Sequence, residues 1–334
     1  KLVQYVGRDR DPVSPINDLA YSMRPPIKIG MLALLCSTFA VPVHSAPLNH
    51  SFAGPSARDH GKCRLRKVDG MGDVDGQQEN VVVSINHPVP GRASPLRFKF
   101  SVRSTDEFVS KLIRESGRVL CDDLLLKAMQ ATITRTKAQR GKPPVFVDIG
   151  SNIGSCTVIA ALLGFDVIAV EPNPANMHFM KRNVLLNSLS GKVHILACGL
   201  SNVTDELKFR YTTGNMGMGS FGALPETYMQ ANTGHKWYDA STTVPVACMA
   251  DIPYFHEHAV DLMKVDTEGH EGRVVRGAAG LLKGRKVRTM YLEDHFAEGA
   301  KDTESMPSIQ AFLASAGYPL VYHRASGYLY QRSV

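Results

Sequence analysis

Val145-Phe146-Val147-Asp148-Ile149-Gly150-Ser151-Asn152-Ile153-Gly154 decides the fold of this 334-residue chain. Residues 145–147 form an unbroken apolar run, the pattern of a strand buried on both faces. An acid and two glycines follow. Residues 155–163 are then small and apolar and stop at Gly164, as a helix stops at a C-terminal glycine. Strand, glycine turn and helix make the unit that aims backbone N–H groups at a nucleotide-like ligand. A second strand, 167–170, ends in Glu171. An acid at that tip is placed to accept hydrogen bonds from two ribose hydroxyls.

The glycine spacing separates the ligands such a turn can hold. A dinucleotide site wants G-x-G-x-x-G, because a pyrophosphate sits on the helix N-terminus. Here Asn152 replaces the middle glycine, and Asp148 precedes Gly150 by two. A carboxylate beside the turn repels a pyrophosphate and suits a ligand with an amino group and no phosphates. S-adenosylmethionine (SAM) is such a ligand. Its cradle is expected from Asp148, Gly150, Asn152, Gly154 and Glu171. Gly199, at the exit of a third strand over 193–197, lies where the adenine would rest.

Working outward, residues 207–211 and 261–265 read as further strands. Asp266, Glu268 and His270 follow the second of these, at the edge where open α/β sheets bind ligands. A helix is expected over 273–282, then a strand over 287–292 that ends in Glu293, Asp294 and His295. Residues 320–322 and 328–330 read as a closing hairpin. The expected fold is a Rossmann-like α/β sheet of seven strands, mostly parallel with one antiparallel, flanked by helices. The glycine-rich stretch 214–222 reads as a mobile loop, with Met216, Met218 and Phe221 as apolar lids. His235, Trp237 and Tyr238 offer an aromatic platform for a sugar ring, against ordinary packing as the plainer reading.

Before the glycine turn, 81–85 and 96–102 read as a strand pair. Helices are expected over 106–116, with Ser104 and Glu107 as a capping box, and over 122–137. These elements should cover one edge of the sheet. Residues 29–43 are an apolar run after Arg24 and Lys28, with Ser45 and Ala46 behind it. That describes a secretory signal peptide or a short signal anchor. Met23 would start a signal of ordinary shape. The organisation expected is a signal or anchor with uncertain upstream residues over 1–46, a linker over 47–79, a strand/helix cap over 80–140 and a ligand-binding domain over 141–334. The location expected is secreted or membrane-anchored, with the cytoplasm as the alternative. Sequons stand at Asn49 and Asn202.

The net charge of +7 is spread without a Lys/Arg block, so no nucleic-acid partner is expected. Six cysteines include no C-x-x-C pair, so no zinc site is expected. Cys156 and Cys198 read as packed thiols; Cys63 and Cys121 could pair in a secreted chain, which spacing alone does not decide.

In order along the chain stand Asp148-x-Gly150-x-Asn152-x-Gly154, Glu171-Pro172-Asn173-Pro174, Lys264-Val265-Asp266-x-Glu268-Gly269-x-Glu271 and Glu293-x-His295. This series resembles the FkbM family of SAM-dependent class I methyltransferases over roughly residues 81–331. The resemblance adds Asn173 to the cofactor residues and implies O-methylation of a hydroxyl on a sugar, glycolipid or secondary metabolite. Such a transfer needs a base, for which Asp266, Glu268 and His295 are the candidates, with Lys264 and Glu293 orienting them. No metal is assigned, although Asp266 and Glu293 would suit magnesium. Glu271 reads as a first-turn helix acid. Asp266-Thr267-Glu268-Gly269 stands where base and amide methylases carry an Asn/Asp-Pro-Pro-aromatic turn, which argues against those acceptors. Two other readings remain open: a secreted or tethered binding protein without catalysis, and an NAD-type oxidoreductase. The missing middle glycine counts against the second.

Overall fold

The computed structural model describes residues 63–68, 80–106, 108–139, 141–212, 215–222, 240–294 and 304–333. The apolar run 29–43, Asn49, the group His235, Trp237 and Tyr238, and His295 lie outside them. Among the described residues no helix is long and apolar enough to cross a membrane.

The main sheet is built around β4 (Val145–Ile149), whose side chains from Phe146 to Ile149 are all buried. A strand covered on both faces needs no polar alternation, which explains the apolar run. β5 (Asp166–Val170), β6 (Val193–Leu196), β11 (Val260–Val265) and β12 (Val287–Glu293) join it in parallel. β14 (Gly327–Gln331) runs antiparallel against β12 and carries β13 (Leu320–Arg324) at the edge. The order is β1-β6-β5-β4-β11-β12-β14-β13. The seven expected strands are present, and an eighth is added: β1 (Leu65–Lys67), antiparallel to β6 at the far edge. So short a strand, in a segment rich in charge, carries no readable alternation. From β4 the chain builds toward β6 on one side and later, with β11, toward β12 on the other. The crevice at the carboxyl end of β4 is therefore the switch point of the sheet.

The helix after the glycine turn, α3 (Ser155–Leu163), is buried on nearly every side, in keeping with its small and mostly apolar residues. It ends at Gly164, whose left-handed backbone returns its N–H to Ala160 and Ala161. α4 (Pro174–Leu186) starts with proline in its first turn, and Asn173 caps it by accepting the Ala175 N–H at 3.0 Å.

The strand pair forms as β2 (Asn80–His87) and β3 (Leu96–Arg103), but it covers a face of the sheet rather than an edge. Phe98, Phe100 and Val102 share a core with Phe146, Ile159, Phe165 and Phe179. α1 (Val109–Ser116) and α2 (Asp123–Gln139) add Ile113, Leu125 and Met129 to it. Two asparagines of α4 fasten β3 as a neighbouring strand would. Asn183 accepts the Ser101 N–H and donates to its carbonyl; Asn187 does the same with Lys99. Of the expected capping box, Glu107 lies outside the described residues; α1 opens at Val109, three residues later than expected, and Asp106, two positions after Ser104, accepts from the backbone N–H groups of Phe108 and Ser110.

A second sheet, in the order β7-β10-β8-β9, stands beside the crevice. Its strands are β7 (Gly199–Leu200), β8 (Asp205–Thr212), β9 (Asn215–Ser220) and β10 (Ala240–Ala247). β9 corrects the expected mobile loop. Its glycines serve close packing, since a Cβ on Gly219 would lie 2.1 Å from the Phe209 ring.

The other face of the main sheet is covered by α5 (Pro253–Glu257), α6 (Glu271–Gly277), α7 (Ala279–Lys283) and α8 (Met306–Ser315). The single helix expected over 273–282 is two, broken at Ala278 after Gly277. A Cβ on Gly277 would lie 1.9 Å from the Ser201 carbonyl. Gly277→Ala should therefore lower stability by about 2–5 kcal/mol, because rigid backbone must move. Gly280→Ala, in the next helix, meets nothing closer than 3.7 Å. It should be neutral or stabilising by up to ~1 kcal/mol, through helix propensity. Urea unfolding of the two variants beside the parent checks both signs.

Candidate active site

A solvent-open cleft lies at the switch point. Its floor is the glycine turn, with Gly150 and Asn152. One wall is the end of β5 and its exit, Val170 to Pro172, with Asn176 of α4. Another is Gly199 and Leu200, faced by Phe209, Gly217, Gly219 and Phe221 of the second sheet. Asp266, Thr267 and Glu268, after β11, close it.

Glu171 is the best-held acid in this cleft. It accepts the N–H of Asn152 at 2.8 Å, the N–H of Asn173 at 3.0 Å and the Asn176 amide at 3.2 Å. Burial pushes its carboxyl up to about 7, against the pull of those donors and of Lys264. Asn176 is oriented in turn by Arg103, whose guanidinium donates to it at 2.8 Å and lies over the Phe179 ring. Sequence reasoning missed both residues. Asn176 stands in the first turn of a helix the sequence did reveal, but Arg103 closes on it from 73 positions away.

Lys264 holds the other half of the site. Its ammonium is buried, 2.8 Å from Asp266 and 3.4 Å from Asp148, and donates to the Gly150 carbonyl at 3.1 Å. Burial alone would lower its pKa; Asp266 and Asp148 outweigh that and hold it above its ordinary value. Asp148, expected in the cradle, is fully buried, accepts the Thr157 hydroxyl of α3 at 2.6 Å and is not among the residues that line the cleft.

Gly150, Asn152, Glu171, Gly199, Asp266 and Glu268 line the cleft. Gly154, Asn173, Lys264 and Glu293 do not. Gly154 caps α3 with φ +91°, Asn173 caps α4, and Glu293 lies at the end of β12, within 3.5 Å of the Ser326 hydroxyl. Glycine at 150 is required twice over. Its φ is +77°, and a Cβ there would lie 1.7 Å from the Asp266 carbonyl. His270, expected at the crevice, is buried behind it instead. Its ring lies 4.9 Å from that of Phe221, and its Nε2 is 3.1 Å from the Ser201 hydroxyl. Burial, with Arg273, lowers its pKa to about 4, so it is a neutral prop for the Phe221 wall. Glu271 accepts the N–H groups of Thr267 and Gly269, fixing the loop that carries Asp266 and Glu268. Among the described residues no cluster of three acids, histidines or cysteines is arranged to hold a metal.

Residues 148–320 match the family model described as the Methyltransferase FkbM domain, and the chain belongs to that family. It is 27% identical over 205 residues to the methyltransferase sdnD of Sordaria araneosa, covering 54% of this chain and 76% of that protein. It is 25% identical over 227 residues to the hexuronic acid methyltransferase AglP of Haloferax volcanii, covering 67% and 82%. Among solved structures, the FkbM methyltransferase of Methylobacillus flagellatus matches with a TM-score of 0.38 and 16% identity, over 68% of this chain and 61% of that one. The protein is a methyltransferase, built on the Rossmann-like sheet of class I.

Lys264→Met would leave Asp148 buried without its cation. Such a loss should lower stability by about 3–5 kcal/mol at neutral pH. Urea unfolding of the variant beside the parent at pH 7.5 tests this; coincident unfolding curves would refute it.

Proposed function

We propose that the protein transfers a methyl group from SAM to a hydroxyl, on a sugar or a sugar-bearing acceptor. The observation that carries this is one cleft in which Glu171 and Asp266 both stand on the wall, at the switch point of a methyltransferase sheet. An ionised carboxylate has about four acceptor positions, and the donors described above use three, so Glu171 retains capacity toward the cleft. It would hold the ribose hydroxyls. Gly199, Leu200 and Phe221 line the cleft with an apolar surface on which adenine would rest. The amide oxygen of Asn152 is buried with no hydrogen-bond partner among the described residues, an acceptor suited to an ammonium. These features fit the cofactor. SAM, when bound, supplies a methyl group on a sulfonium, which needs alignment and a deprotonated acceptor.

Asp266 is the base in this reading. Lys264 steadies its carboxylate on the cleft wall, from where it receives the proton of the acceptor hydroxyl. Glu268, with φ +52° and its carbonyl bound by the Ser220 hydroxyl at 2.7 Å, positions the acceptor. A sugar acceptor is supported by AglP, whose name states a hexuronic acid substrate and whose length this chain matches over 82%. A hydroxyl of a secondary metabolite is the other acceptor class in this reading.

Calorimetric titration of the full chain with SAM, S-adenosylhomocysteine and NAD should show micromolar binding of the first two and none of the third. No binding to a folded sample would instead establish a protein without catalysis. Glu171→Ala should weaken cofactor binding. Asp266→Ala should spare it and lower turnover by ~10²–10⁴-fold.

The pH dependence follows from Glu171. Its pKa of about 7 stands above the ordinary value. Ribose hydroxyls donate to the ionised form, so binding favours high pH. Between pH 8 and pH 6 its ionised fraction falls about tenfold, and S-adenosylhomocysteine affinity should fall about tenfold with it. A flat profile would count against this ribose contact.

A further inference from the structure

We infer that Cys63 and Cys198 form a second disulfide, which staples residues 63–68 to the end of β6 beside the cofactor cleft. The structure already joins Cys121, just before α2, to Cys156 in the first turn of α3. That bond corrects both cysteine expectations, since Cys156 is not a free packed thiol and Cys121 does not pair with Cys63.

Strand register brings the other two together. β1 runs antiparallel to β6 with Leu65 opposite Leu196, Arg66 opposite Ile195 and Lys67 opposite His194. Carried two residues further, the register sets Cys63 opposite Cys198. Opposed residues of an antiparallel pair have Cα atoms about 4.5 or 5.5 Å apart. A disulfide spans about 4.4–6.8 Å. The faces agree as well. Leu196 and Cys198 belong to one buried cluster, and Cys63 and Leu65 pack against it. The two thiols are hydrogen-bond partners. That bond holds the Cys63 thiol below its ordinary pKa, although burial opposes it, while Cys198 is raised. Cys63 is therefore the sulfur that attacks first.

The oxidant is a disulfide, either a small molecule such as oxidised glutathione or the active site of a dithiol oxidase. The Cys63 thiolate attacks it, forming a mixed disulfide and releasing one thiol. Cys198 then attacks the Cys63 sulfur and releases the second. Two protein thiols are oxidised, and one external disulfide is reduced to two thiols. Cys198 immediately precedes Gly199, so the staple holds the wall on which adenine is proposed to rest. A chain with two disulfides matures in an oxidising compartment, the location that the apolar run 29–43 also suggests.

The test is a cysteine map. The full chain is equilibrated with oxidised glutathione, alkylated in denaturant, digested without reduction and analysed by mass spectrometry. The expected result is a Cys63 peptide joined to a Cys198 peptide, Cys121 joined to Cys156, and Cys248 alkylated. Cys63 and Cys198 both alkylated, or Cys198 joined to any other cysteine, overturns the proposal. Cys198→Ser should release Cys63 for alkylation and leave the Cys121–Cys156 link in place. A Cys63 that stays protected in this variant also overturns it.

Discussion

The buried ammonium of Lys264 is the interaction on which the site depends. It lies between two carboxylates, Asp148 and Asp266, and also binds the Gly150 carbonyl. Each of these groups belongs to a different part of the machinery. Asp148 is at the end of the central strand, Gly150 is the turn that opens toward the ligand, and Asp266 is on the opposite wall. A cation so far from water is tolerable only with partners of this kind. The burial that makes the cluster risky also makes it rigid, because any shift of one wall strands a charge.

Around that cluster the fold supplies support from remote sequence. The N-terminal strand pair reaches the site through α4. Asn183 and Asn187 fasten β3 to the helix, while Arg103 leaves the end of β3 to orient Asn176 and, through it, Glu171. The second sheet supplies Phe221, propped by His270 from behind and by Phe209 at its edge, 5.2 Å between ring centres. The cleft walls thus rest on residues such as Arg103, Asn183 and His270 that do not line the cleft.

Much of this was legible in the chain itself. β4, α3, β5 and Glu171 were recognisable because local rules govern them: a doubly buried strand, a helix closed by Gly164, an acid at a strand tip. Asp266 and Glu268 followed from their place after a buried strand. The misreadings concern partners remote in sequence. Nothing near Asp148 in the sequence announces its cation, Lys264, 116 positions later. The glycines of β9 suggested mobility, yet Phe209 lies against Gly219 and Val109 against Gly217. β10 escaped notice, although Thr242, Thr243 and Val244 are β-branched and suit a strand. α8 was missed even though Met306, Ile309 and Leu313 share its buried face, with Pro307 in the first turn.

The contact between Gly150 and Asp266 has a consequence for how such a site can change over generations. The two walls meet backbone to backbone, joined also by the Asp266 N–H to the Ile149 carbonyl at 3.1 Å. No side chain fits between them, so position 150 and the chain path at 266 form a single inherited unit. A lineage that altered one without the other would lose the crevice before it could try a new acceptor. Diversity in what the enzyme methylates must then arise in the strands and loops around this seam, with the seam itself passed on intact.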